Sequence, residues 1–133
     1  MIVIGEEVCR WVADKTDDTY YPNSGVGIGI EKEGRITAGV LFNGYCGQSI
    51  QIHVAKEPDA YINREWLFVL FDYAFRQLKV NKIIGIVDST NTVALRFDKH
   101  IGFVQEHVIK GAGKYGDMHI LTMTRDQCRF LRK

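Results

Sequence analysis

The chain has 133 residues, 46% of them apolar and 25% charged, with a formal net charge of +1. That length suits one domain spanning 1–133 with a real core, and the near-zero charge supplies no field toward nucleic acid or an anionic membrane. Cys9, Cys46 and Cys128 are odd in number and far apart, which excludes a disulfide framework and zinc-like spacing and reads as reduced thiols in a cytoplasmic protein.

The opening "MIVIGEEVCRW" lacks the basic start and long apolar stretch of a leader, and no run approaches the ~20 apolar residues of a membrane span. Residues 6–15 place Val8, Trp11 and Val12 on one helical stripe, with Glu6 and Glu7 at its positive end. A polar connection, 17–25, follows. Strand patterns then occupy 26–32, 35–45 and 49–55, where Val26, Ile28 and Ile30 alternate with glycines and Ile50, Ile52 and Val54 with polar residues. Period two with two- and three-residue joints predicts an antiparallel meander. Gly27, Gly29 and Gly39 thin one sheet face for a substrate or a helix lying against it.

From Trp66 the period becomes helical, and a broad apolar stripe through Leu78 predicts the main helix over 62–79. "KIIGIVD", 82–88, suits a central strand buried on both faces. A second helix over 91–101 stops at Gly102. Strands at 103–110 and 117–124 flank the loop "GAGKYG", and "RDQCRFLRK" is read as a solvated basic face. The order predicts a mixed α/β sheet: an antiparallel meander, then β-α-β-α-β, with helices on both faces.

The start of the main helix, 62–64, offers amides with no partner inside the helix, and Arg64 adds charge. Every helix start has such amides, so solvent there is the alternative reading.

Asn91-x-x-Ala94 followed by Ile101-Gly102-Phe103, after "IIGIVD", resembles the segment closing the cofactor-binding core of the GNAT N-acetyltransferases. "NREWL" (63–67), "FDYAFRQL" (71–78) and "GDMHILTMTRDQCRFL" (116–131) are similar to motifs of compact phage- and bacterial-type members. The resemblance spans about Glu6 to Leu131. It implies acetyl-CoA as co-substrate and an amine acceptor. It further implies backbone contacts near Ile52, His53, Val54 and Ala55, a pyrophosphate seat at Asn63 and Arg64, and a pantetheine wall at Asn91 and Ala94.

Two departures from the family pattern stand out. "YINREW" lacks the usual glycine-rich pyrophosphate loop. Asp98 occupies the position where many members carry a tyrosine acid, and an ionised carboxylate cannot donate a proton. Only a strongly raised pKa would restore that role. His53, beside the expected acetyl position, has the intrinsic pKa of a base, or is a solvent-face strand residue. Glu57 and Asp88, at strand ends, are further candidate bases or simply turn carboxylates, and Tyr115 is a loop candidate. The expected activity is direct acetyl transfer to an amine, with a non-catalytic acyl-CoA-binding module as the competing reading. No metal is implied, and the apolar final strand suggests a homodimer.

Overall fold

The computed structural model describes residues 1–131; Arg132 and Lys133, the end of the basic C-terminal stretch, lie outside the described residues. The period-two segments form β2 (Gly25–Lys32), β3 (Arg35–Asn43) and β4 (Ser49–Lys56), paired antiparallel as a meander. A short strand the sequence reading does not anticipate, β1 (Ile2–Ile4), adds to its outer edge through Ile2 opposite Ile30. Beyond the meander come β5 (Lys82–Asp88), β6 (Val104–Ile109) and β7 (Met118–Thr124), giving the order β1-β2-β3-β4-β5-β7-β6. All neighbours run antiparallel except β4 and β5.

One face carries α1 (Glu6–Lys15). Here the glycines serve helix packing: a Cβ at Gly27 would lie 2.8 Å from the Cys9 nitrogen and the Gly5 carbonyl oxygen, and one at Gly39 would lie 3.0 Å from Val8 and Val12. Val8, Cys9 and Val12 are thereby buried against Leu41. The contacts of α1 lie with β1–β4. Ile84 and Ile86 on β5 accordingly stay partly exposed while Ile83, Gly85 and Val87 are buried. Burial of β5 on both faces, expected from its composition, therefore does not hold.

The other face holds the main core under α2 (Arg64–Phe71) and α3 (Thr92–Ile101). Asn63 starts α2 by accepting the Trp66 N–H at 2.7 Å, and the buried Trp66 indole donates to the Ile28 carbonyl at 3.2 Å. The helix expected over 62–79 is α-helical only to Phe71 and continues as a π-helix over Asp72–Gln77. Asn91 caps α3 at the Ala94 N–H, and Gly102 closes it in the left-handed conformation. The tail departs from a wholly solvated face. Cys128, Phe130 and Leu131 are buried, with Phe130 stacked on Phe71 at 5.6 Å, and only the intervening polar residues face water.

Candidate active site

Strands β4 and β5 pair from Ser49–Lys82 to Ile52–Gly85 and then part, although β4 runs on to Lys56 and β5 to Asp88. Parallel strands that stop pairing leave backbone N–H and C=O groups facing the gap. A cleft of about 500 Å³ opens there. Ile52, His53 and Val54 line it from β4, Asp88 from β5, Asn91 and Ala94 from the cap and first turn of α3, and the buried Asp98 from further along that helix. A second cavity of about 380 Å³ shares Val54, Asn91 and Ala94 with the first and runs past Ala55, Pro58, Val93 and Phe97. The two adjoin at these shared residues, and the second is lined by Pro58, Val93 and Phe97 as well as by Lys15, Thr16 and Lys56.

Asp98 is the most unusual group in it. Its side chain is 2% exposed and its Oδ1 has no hydrogen-bond partner. Gly85 of β5 lies beside it, where a Cβ would sit at ordinary contact distance, 3.4 Å from Asp98 Oδ2. Burial without a compensating cation pushes its pKa up to about 7. A carboxyl in this state is largely protonated just below neutrality and can donate.

His53 faces the cleft from the opposite strand, 13% exposed. Its Nε2 lies 3.1 Å from Asn43 Oδ1, which accepts. That places the proton on Nε2 and leaves the Nδ1 lone pair toward Asp18 Oδ2, 3.9 Å away. Burial lowers the His53 pKa below its usual value, and the Asp18 charge opposes this in part. The ring is neutral at pH 7, with a basic nitrogen presented to the cleft.

Asp88 has a different character. Its carboxylate accepts the N–H groups of Thr90, Tyr115 and Gly116 and the Thr90 hydroxyl. These bonds hold its pKa well below the ordinary carboxylate range. It is an anchor for the 112–116 loop, not a proton carrier. That loop is tied across the cleft mouth: Lys114 pairs with Asp17 at 3.0 Å, and the Tyr115 hydroxyl donates to the same carboxylate.

The fold thus gathers Ile52, His53, Val54, Asp88, Asn91, Ala94 and Asp98 around one cleft, with Ala55 in the adjoining cavity. Glu57, Asn63 and Arg64 stand apart. Glu57 pairs with Lys15 at 3.1 Å. The Asn63 side-chain oxygen is committed to its cap, and Arg64 turns to the Arg129 carbonyl and the Phe130 ring. Asp18 and Lys114 line the cleft without having been singled out from sequence. The run "DKTDD" (14–18) directly after a helix stripe is the signal that points to the first. Among the described residues no group of three or more His, Cys, Asp or Glu is placed to hold a metal, and no helix is long and apolar enough to cross a membrane.

A family model described as an acetyltransferase (GNAT) domain matches residues 31–124. The chain belongs to the GNAT family. It is an acyltransferase, and its activity is acetyl transfer. A variant of the spermidine N-acetyltransferase SpeG from Vibrio cholerae superposes with TM-score 0.70 at 15% identity, over 98% of this chain and 96% of that one. A GNAT-family acetyltransferase from Bacillus anthracis does so with TM-score 0.67 at 14% identity, over 94% and 95%. At these identities the likeness is one of fold. No curated protein sequence matches the chain. Within the GNAT frame, the helices on both faces and the mixed sheet expected from the residue pattern are those observed.

Proposed function

We propose that this GNAT domain transfers the acetyl group of acetyl-CoA directly to an amine, both bound at once, with no acetyl-enzyme. The observation that carries the reading is the open seam beyond Ile52–Gly85 with a buried carboxyl at its base. Unpaired alternate amides on the inner edge of β4 would hold the thioester carbonyl and stabilise the charge developing on its oxygen. The adjoining cavity past Val54, Ala55, Ala94 and Phe97 suits the pantetheine arm, with the free Asn91 amide group at its rim. Asn63 and Arg64, engaged elsewhere, leave the pyrophosphate to the remaining free amides at the start of α2.

In this reading His53 Nδ1 takes a proton from the acceptor and the amine lone pair forms the carbon–nitrogen bond. The carbon–sulfur bond breaks with its electron pair leaving on sulfur. The Asp98 carboxyl supplies the sulfur with a proton and regains one from the acylated nitrogen. Amide and free thiol result, and the proton on His53 returns to solvent along the exposed Asp18.

Calorimetric titration with acetyl-CoA, followed by thiol-release assays over an amine panel, tests this. Saturable binding with amine-dependent release is expected. Absence of acetyl-CoA binding overturns the proposal, and binding without turnover of any amine supports the non-catalytic alternative.

A further inference from the structure

We propose that the protein carries a second binding site, at the far end of the sheet from the cleft, that takes a phosphate monoester. It is a cavity of about 530 Å³ where the π-helix ends and β7 runs out, and among the described residues it shares no lining residue with the cleft or the adjoining cavity. Asn81 on its wall directly precedes β5, and Asp88 at the other end of that strand is on the cleft. Roughly 20 Å of extended chain therefore separates the two.

The floor of this cavity is apolar and its rim cationic. Phe75 and Val80, both buried, form the floor, and Arg76, Lys79 and Arg125 stand around it. Arg76 lies 3.5 Å from Asp72, donates to the Leu131 carbonyl at 3.1 Å and covers the Phe68 ring. Those contacts hold its guanidinium in place and leave it N–H groups to spare. Lys82, just outside, is paired with Glu106 at 3.1 Å, and Asp126, the carboxylate on the described lining, is not free either. The side chains of Lys79 and Arg125, by contrast, have no hydrogen bond, ion pair or ring contact among the described residues. Lys79 is also held in the left-handed region, φ +59, where a glycine would end the helix without strain. The chain thus keeps a cation where the backbone favours a residue with no side chain at all. Two unpaired like charges around one concavity repel each other and favour an anion between them. A phosphate monoester answers each feature. Its dianion meets Lys79 and Arg125, its oxygens take the spare Arg76 donors, and its organic body covers Phe75, Val80 and the aliphatic stems of the rim. A carboxylate brings one charge to two cations, and inorganic phosphate has no body for the floor.

The test follows the backbone amides of the isotope-labelled full chain by NMR during titration with phenyl phosphate, inorganic phosphate, benzoate and phenol. The pH is held at about 7.5, above the second phosphate pKa of about 6. Phenyl phosphate is expected to give saturable shifts centred on Lys79–Asn81 and Thr124–Arg125. Benzoate and inorganic phosphate should bind there roughly tenfold more weakly or worse, and phenol not at all. Lys79→Gly and Arg125→Gln should each weaken phenyl phosphate by roughly tenfold or more. Lys79→Gly should do so without a lower melting temperature, since it relieves the backbone as it removes the charge. Lys32→Gln, on the β2–β3 hairpin, is the control and should bind as wild type does. Shifts confined to the cleft, or shifts that never saturate, overturn the inference. So do benzoate or inorganic phosphate binding as tightly as phenyl phosphate, wild-type affinity in Lys79→Gly and Arg125→Gln, or an equal loss in Lys32→Gln. Acetyl transfer stands or falls separately, on thiol release.

Discussion

Replacing Asp98 by Asn separates the cost of this residue from its use. An ordinary aspartate titrates near 3.8 and Asp98 at about 7. Above the lower value the unfolded chain has lost a proton that the folded chain keeps. Folding stability therefore falls as pH rises from about 4 to about 7 and stays depressed beyond, by about 4 kcal/mol in all. Roughly 2–3 kcal/mol of that loss falls between pH 5 and pH 8. Asn is nearly isosteric and does not titrate, so Asp98→Asn should gain that amount on wild type across the same interval. Urea unfolding of both proteins at pH 5 and pH 8, with equal slopes, measures it. If the two stabilities run parallel with pH, the carboxyl is solvated or paired and is no neutral donor. In the proposed mechanism the same variant should lose roughly tenfold to a hundredfold in kcat and the alkaline limb near pH 7. A more stable and slower protein is the joint expectation.

Gly27→Ala should cost about 1–3 kcal/mol in chemical unfolding, because its Cβ would meet the backbone of α1 at 2.8 Å; an unchanged midpoint would mean the helix has room to move. Asn63→Ala should cost about 1 kcal/mol through loss of the cap and leave acetyl-CoA affinity alone. A large affinity loss would instead put Asn63 at the pyrophosphate. Asp17→Ala removes both side-chain ties across the cleft mouth and leaves the Lys114 bond to the residue 17 carbonyl. It should speed amide exchange in residues 111–116 while the melting temperature hardly moves, and unaltered exchange would show that Asp88 and that carbonyl bond suffice to anchor the loop.

Periodicity carried most of the fold, because half-buried strands and amphipathic helices each impose a repeat on the chain. Where it misled, the partner element was invisible: β5 looks doubly buried from its own residues, and only the footprint of α1 leaves Ile84 and Ile86 uncovered. The three residues of β1 are too few to show a period. Likewise, "CRFL" reads as surface from its charges, yet Phe130 finds Phe71 across the fold. The candidate site followed the same division. Asn91 and Ala94 sit in a recognisable local pattern, whereas the ion pairs of Lys15 with Glu57 and of Lys114 with Asp17 at the cleft join residues up to 97 positions apart. Asp98 is the clearest case, since its chemistry is set by an unpartnered burial that no neighbour in sequence reveals.

The parting of β4 from β5 has a mechanical side. A sheet that stops pairing half-way is a ladder with missing rungs, and the meander is joined to the rest of the sheet by the four residue pairs from Ser49–Lys82 to Ile52–Gly85. A ligand lying along the inner edge of β4 supplies rungs of its own, stiffening the junction as it is gripped. Occupancy and rigidity then rise together, and release of the product returns the seam to its looser state.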